Sequence, residues 1–344
     1  MLDRQVGGAR GGKVGGDLGQ VGVGARELGP LDAVGELVEG QAPFDGRVAQ
    51  RDDGARAICI TGEGHAVKVP AVGYAELGAV RLHYVEQGEG PLVVLLHGFP
   101  EFWYSWRRQI PALVRAGFRV IAPDLRGFGE SSKPADVDRY GVLDLVGDVL
   151  GILDSVGVPR AHVVGHDWGA ALAWALGAFV PDRVDHLAAL SVGHPSSFST
   201  VGLEQRQMSW YFLFFQFEGI AEQWLSADDF ANMREWAKHP DMDQVAIDLA
   251  RPGALTAALN WYRANVHPRT WIEPALVFPQ VKAPTMGVWS SGDFALAEAG
   301  MTGSDRFVEG PWRYERIDDA GHWMQLEAPD EVTGLLLDFL PKPS

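Results

Sequence analysis

The chain has 344 residues, 47% of them hydrophobic, enough to bury a large core within one α/β domain. Its formal charge of −16 argues against nucleic acid and anionic membrane as partners and reads more simply as a solubility feature. A single cysteine, Cys59, excludes an internal disulfide framework, and neither a metal-ligand cluster nor a glycine-rich phosphate loop after a strand is present, so no metal or cofactor is expected.

Residues 1–69 are rich in glycine, hold one aromatic residue (Phe44) and none of the 12 tryptophans, and lack a sustained apolar period. Such a segment buries little and is expected not to fold on its own. No charged segment leads into an apolar stretch of secretory length, so no signal peptide is read and a cytoplasmic location is expected. No methionine lies between Met1 and Met208. The extension therefore reads either as an over-long coding assignment, with translation starting at a valine codon near Val67 to Val69, or as a tail with a targeting or partner role.

Tyr74 to Ala79 and Arg81 to Gln87 read as an opening antiparallel hairpin. Leu92 to Leu96 form an apolar strand ending in His97-Gly98-Phe99-Pro100, and Phe118 to Ala122 the next strand. Tyr140 to Val156 carries Leu143, Val146, Val149, Leu150 and Leu153 at helical spacing. Ala161 to Val164 suits a buried strand, and Ala170 to Val180 a helix packed by small residues. Between them stands Gly165-His166-Asp167-Trp168-Gly169, a nucleophile elbow with Asp167 where an esterase carries serine. Gly165 and Gly169 let strand and helix approach while Asp167 is held proud of the sheet. A carboxylate there can attack a saturated carbon and leave an alkyl-enzyme ester, whose carbonyl an activated water then hydrolyses.

Val184 to Leu190 is a further strand, with no acidic residue directly after it. Residues 195 to about 275 then break the strand–helix alternation with long helical and aromatic stretches, the pattern of an inserted cap. The run Trp210 to Phe217 is too short to cross about 30 Å of hydrocarbon and reads as packing between cap and core. Trp224, Trp261 and Trp271 extend it toward the wall of an apolar channel. Pro284 to Ser290 is a strand followed by Ser291-Gly292-Asp293, and Pro311 to Asp318 one followed by Ala320-Gly321-His322-Trp323. Nucleophile, acid, histidine is the chain order of an α/β-hydrolase. His322 is thus the candidate base and Asp293 the carboxylate that orients it, with Asp318 and Asp319 as rivals on the histidine's own loop. Phe99 and Trp168 backbone N–H groups are the candidate oxyanion hole. Alternating strands and helices imply a mostly parallel sheet covered on both faces.

Five segments carry a family resemblance: HGFPEFWYSWR (97–107), DLRGFGESSKP (124–134), GHDWGA (165–170), NWYRAN (260–265) and GHWMQLEAP (321–329). From about Pro70 to Pro341 the chain resembles an epoxide hydrolase of the α/β-hydrolase superfamily. The resemblance implies a core domain in two parts (70–194 and 276–344), a helical cap (195–275) inserted after the sixth strand, two cap tyrosines aimed at the nucleophile, and no cofactor. Tyr262 matches the tyrosine of the NWYR motif. Tyr211 is the other cap tyrosine, although in some relatives the first tyrosine stands directly before a Phe-Gln pair, a place held here by Phe214. Ring opening generates an alkoxide, so a phenol of pKa about 10 is a suitable proton donor at neutral pH. His97, Pro100, Phe214, Trp261 and Trp323 are read as substrate-binding residues for an apolar epoxide. Two other functions remain open: a haloalkane or haloacid dehalogenase using the same triad, with Trp168 offering its indole N–H to halide, and a non-catalytic ligand-binding member of the fold. Assembly as a homodimer is left open.

Overall fold

The computed structural model describes residues 58–60, 66–68, 70–272 and 278–343. The chain divides into two units, Met1–Lys68 and Val69–Ser344. Within the first, β1 (Ile58–Ile60) pairs antiparallel with β2 (Ala66–Lys68). The rest of the glycine-rich extension, the cap boundary near 275 and the side chain of Trp271 lie outside the described residues.

The second unit is built on an eight-stranded sheet. Its strands are β3 (Ala71–Leu77), β4 (Val80–Gln87), β5 (Leu92–Leu96), β6 (Arg119–Pro123), β7 (Ala161–His166), β8 (Val184–Leu190), β9 (Thr285–Gly292) and β10 (Trp312–Gly321), in the spatial order β10-β9-β8-β7-β5-β6-β4-β3. The β3–β4 and β4–β6 ladders are antiparallel, and every other ladder is parallel. The opening hairpin turns at Gly78, whose φ of 67° is a conformation glycine adopts without strain. The chain runs from β5 to one neighbour, β6, and returns to the other, β7, so the strand order reverses there. Such a reversal opens a crevice at the carboxyl ends of the strands, the usual place for a ligand in an open α/β sheet.

Both faces of the sheet are covered, which is why its central strands read as unbroken apolar runs. In β5, Leu92, Val94 and Leu96 join one apolar cluster while Val93 and Leu95 join the other. The helices Gln109–Arg115 and Pro329–Phe339 pack on the second face. Helices Val142–Ser155 and Trp168–Phe179 cover the first. Val142–Ser155 differs from its expected face: Leu145, Val146, Val149, Ile152 and Leu153 are buried while Leu143 is 64% exposed. At 3.6 residues per turn Leu143 lies about 120° from the centre of that buried stripe, so the apolar residue in the first turn points to solvent. Between β8 and β9 the described residues form no strand of the sheet; they hold the helices Pro195–Phe198, Leu203–Met208, Trp210–Phe214, Ile220–Ala237, Met242–Leu249 and Ala254–Asn265, the 3-10 turn Pro268–Trp271 and a single bridge from Val281 to Val308. The first apolar cluster continues without interruption from the sheet into these helices, taking in Tyr211, Phe215, Leu225, Trp261 and Tyr262. No described helix is long and apolar enough to cross a membrane.

Two buried histidines fix an acid limit on stability. Burial, with His186 beside it at a ring separation of 5.1 Å, lowers the pKa of His162 to about 4, and burial alone brings His194 to about 4. An unfolded histidine takes up its proton near pH 6.5, so between pH 6.5 and 4 the unfolded chain binds protons that the native state refuses. The contribution of these two histidines is full above that window and falls through it as pH drops. Urea unfolding at pH 7, 5.5 and 4 is expected to show the native protein losing about 2 kcal/mol more than a His162→Gln variant across the window. The variant should show a flatter profile.

Candidate active site

Asp167 sits at the turn between β7 and the helix Trp168–Phe179 with φ 51° and ψ −120°, a strained conformation for a residue other than glycine. The flanking glycines make that turn feasible. A Cβ on Gly165 would strike the carbonyl of Gly169, and one on Gly169 the carbonyl of Leu96. Gly98 is equally confined, since a Cβ there would overlap the Asp167 side chain. The loop leaving β5 therefore lies directly against the elbow, and the Phe99 N–H donates to Asp167 Oδ1 at 2.8 Å. The backbone N–H of Trp168 also hydrogen-bonds the carboxylate. Oδ1 is thus held by the loop amide.

His322 follows β10 and Asp293 follows β9, which brings them together at neighbouring strand ends. The two Asp293 oxygens lie 3.1 and 3.0 Å from His322 Nδ1. His322 Nε2 faces Asp167 Oδ2 at 3.8 Å, an ion-pair distance too long for a hydrogen bond. The rival Asp318 instead pairs with Arg316 at the surface, and Asp319 is exposed. Burial pushes the Asp167 carboxyl above its ordinary value, an effect reduced by His322, His166 and the two amides. Burial also opposes charge on His322, but Asp293 beside it, then Asp167 and Glu101, outweigh burial and raise the imidazole to about 9. Asp293 is held below the usual carboxylate range because His322 and hydrogen bonds from Ser191 and Ala295 overcome the cost of its burial.

A cavity of about 440 Å³ opens above Asp167. Asp167, Trp168, Tyr211, Trp261 and Tyr262 line it, together with apolar side chains such as Leu145, Leu172, Phe198, Phe212 and Phe278. The two tyrosine rings lie 5.8 Å apart, and both are fully buried within reach of the Asp167 charge. Burial first, and that charge second, hold both phenols well above the ordinary tyrosine pKa, so both stay protonated at neutral pH. The Trp168 and Tyr262 rings meet edge to face at 5.1 Å between centroids.

Of the residues read as substrate-binding, Trp261 lines the cavity and the other four do not. His97 is buried, with Nδ1 on the Gly98 carbonyl and Nε2 accepting from the Leu125 N–H, which fixes the loop that carries Phe99. Pro100 is buried and follows a cis peptide bond. Phe214 is half-buried against Trp210 and Trp224. The three-residue offset along the helix thus puts Tyr211, not Phe214, on the cavity side. Trp323 packs behind His322 at 4.5 Å between rings and donates its indole N–H to the Ala237 carbonyl.

Two features were not anticipated. Ser191 ends β8, with its hydroxyl between Asp293 and His322. Glu101 lies fully buried beneath the histidine, where it accepts from Gln325 at 2.9 Å and meets His166 at 3.1 Å and His239 at 3.3 Å. His166 Nε2 in turn donates to the His322 carbonyl at 2.8 Å. The HGFPE and GHD segments were read for amides and nucleophile, yet each also carries a buried titratable neighbour, Glu101 and His166, that a motif scan for the triad passes over.

Fold and site together define an α/β-hydrolase with a carboxylate in the nucleophile position, and the family described as alpha/beta hydrolase fold matches residues 91–329. The chain is 35% identical to epoxide hydrolase A of Mycobacterium tuberculosis, the match covering 79% of this chain and 97% of that protein. It is 34% identical to human epoxide hydrolase 4 over 76% of each chain. The solved structure of epoxide hydrolase A from Mycobacterium thermoresistibile superposes with a TM-score of 0.65 at 33% identity, covering 80% of this chain and 99% of that one. An epoxide hydrolase of Bacillus megaterium, solved with an inhibitor, gives 0.72 at 26% identity, over 78% and 99% of the two chains. The chain belongs to the epoxide hydrolase family of the α/β-hydrolases.

Proposed function

We infer that the protein converts an apolar epoxide and water to a vicinal diol through an ester on Asp167. The observation that carries this reading is one cavity lined by a carboxylate at a nucleophile elbow and by two protonated phenols. The helices Pro195–Asn265 act as the cap of a core formed by 70–194 and 276–344. The epoxide oxygen accepts hydrogen bonds from Tyr262 and Tyr211 while Asp167 Oδ2 attacks a ring carbon from the opposite side. The C–O bond breaks, and the nascent alkoxide takes a phenolic proton. Neutral His322, oriented by Asp293, next removes a proton from water, which attacks the Asp167 carbonyl carbon. The charge develops on Oδ1, which the Phe99 amide already holds, while the Trp168 amide also acts on this carboxylate, so that donor needs no rearrangement. Collapse expels the second diol oxygen as an alkoxide that takes the proton from His322, and the acid proton left on Asp167 returns to the phenolate, which restores carboxylate, imidazole and phenol.

Electrostatics separate the two steps. Asp167 is one of the charges that raise His322, and esterification removes it. The imidazole therefore becomes easier to deprotonate when a base is required. The two phenols beside Asp167, which a halide leaving group has no use for, favour an epoxide over a haloalkane. The test is a panel of styrene-type and aliphatic epoxides beside haloalkanes and haloacetate. Diol formation is expected. Halide release without diol would mark a dehalogenase, and binding without turnover a non-catalytic member of the fold.

A further inference from the structure

Ser191 stands at the carboxyl end of β8, one strand over from Asp167. It is 1% exposed and carries φ 73°, a left-handed conformation that costs free energy in any residue with a Cβ. Its N–H donates to the Val288 carbonyl at 2.8 Å, which fixes the turn. From this position its hydroxyl donates to Asp293 Oδ2 at 2.5 Å, and the same oxygen lies 3.0 Å from His322 Nδ1. Asp293 Oδ1 meanwhile accepts from the Ala295 and Leu296 amides at 2.8 and 3.0 Å. A carboxylate offers about four lone-pair sites. Three are taken by Ser191 and the two amides, so the Nδ1–H of His322 shares a nearly saturated acceptor.

We propose that Ser191 is a positioning residue that sets how tightly His322 holds its proton during ester hydrolysis. By donating to Asp293 it weakens that carboxylate's hold on the imidazolium, and by standing against Nδ1 it keeps the ring turned with Nε2 toward Asp167. The inference rests on the reading of His322 as the base. The groups facing His322 are the carboxylates of Asp293 and Asp167, Glu101 behind it, the His166 ring at 4.8 Å, and the rings of Phe294 and Trp323. All three carboxylates favour the imidazolium. Esterification removes the contribution of Asp167 but leaves that of Asp293 in place. A neutral donor on Asp293 is therefore the device that tempers what remains, and without it the base would stay protonated to higher pH.

Single-turnover measurements of the native protein, Ser191→Ala and Ser191→Gly across pH 5–10 test this, following the alkyl-enzyme by tryptophan fluorescence and intact mass. The hydrolysis rate constant of the native protein is expected to fall on the acid side. In both variants that limb should move up by about one pH unit, slowing hydrolysis near neutrality by up to about tenfold and far more than it slows alkylation. Glycine relieves the left-handed φ whereas alanine retains it, so a shift common to both follows the hydroxyl. A shift in the alanine variant alone, or no shift in either, overturns the proposal. If only the glycine variant folds, its limb decides. A native protein with no acid limb would overturn the reading of His322 itself, whereas a native limb with unmoved variants overturns the role of Ser191 alone.

Discussion

Replacing His322 with glutamine is expected to stop turnover, by about 10³-fold or more, while one equivalent of epoxide is still consumed. Attack by Asp167 Oδ2 does not use the imidazole, because Nε2 stands 3.8 Å away and makes no hydrogen bond to it. Hydrolysis of the resulting ester does on the proposed mechanism, since His322 Nε2 is the base that faces the carboxylate. The trapped species should appear by intact mass as protein plus epoxide and, after proteolysis, on the peptide containing Asp167. A companion measurement uses the native protein in ¹⁸O water under single-turnover conditions. Water attacks the Asp167 carbonyl carbon and not the substrate carbon of the ester, so the first label is expected in Asp167, and the diol should be unlabelled. Label in the first diol would mean that water attacks the epoxide directly, and would remove the nucleophilic role from Asp167.

The second large effect concerns the tyrosines. Tyr262→Phe is expected to lower the alkylation rate constant by about 10²-fold, and the double change with Tyr211→Phe by about 10⁴-fold, the range that a positioned acid contributes. Hydrolysis of an ester once formed should change little, because both phenols act on the epoxide oxygen. The pH dependence carries a sign. Burial and the Asp167 charge hold both phenols above their ordinary value, so the protonated donors persist and alkylation should not decline until beyond about pH 10. Rapid-quench measurement of diol and ester in the three proteins separates the steps. An undiminished alkylation rate in the double variant would discard the tyrosines as donors.

Much of this arrangement was legible in the residues. Strand, tight turn and helix around Asp167 followed from an apolar run, two glycines and a small-residue helix, because a parallel strand buried on both faces has little freedom in composition. The order of Asp167, Asp293 and His322 followed from which strand each succeeds, and the sheet places all three strand ends together. What local pattern does not encode is direction across the cavity. Phe214 and Tyr211 sit three residues apart on one short helix, and only the packing of Phe214 against Trp224 shows which of them turns away. His97 and Trp323 belong to motif segments but serve the loop and the back of the histidine, roles fixed by partners 28 and 86 positions away. Ser191 was passed over because an alternative acid was sought after β8, whereas the hydroxyl there supports the acid supplied by the next strand.

The apolar cluster that runs unbroken from the sheet into the helices has a consequence for failure. Asp167, the proposed nucleophile, is rooted in the sheet, while Tyr211 and Tyr262, the proposed proton donors, ride on helices across the same packed interior. A fluctuation that loosens the helices withdraws the proton donors at the same moment as it admits solvent. On the proposed mechanism the exposed carboxylate then faces an unactivated ring, so a partly opened molecule should be silent and not indiscriminate.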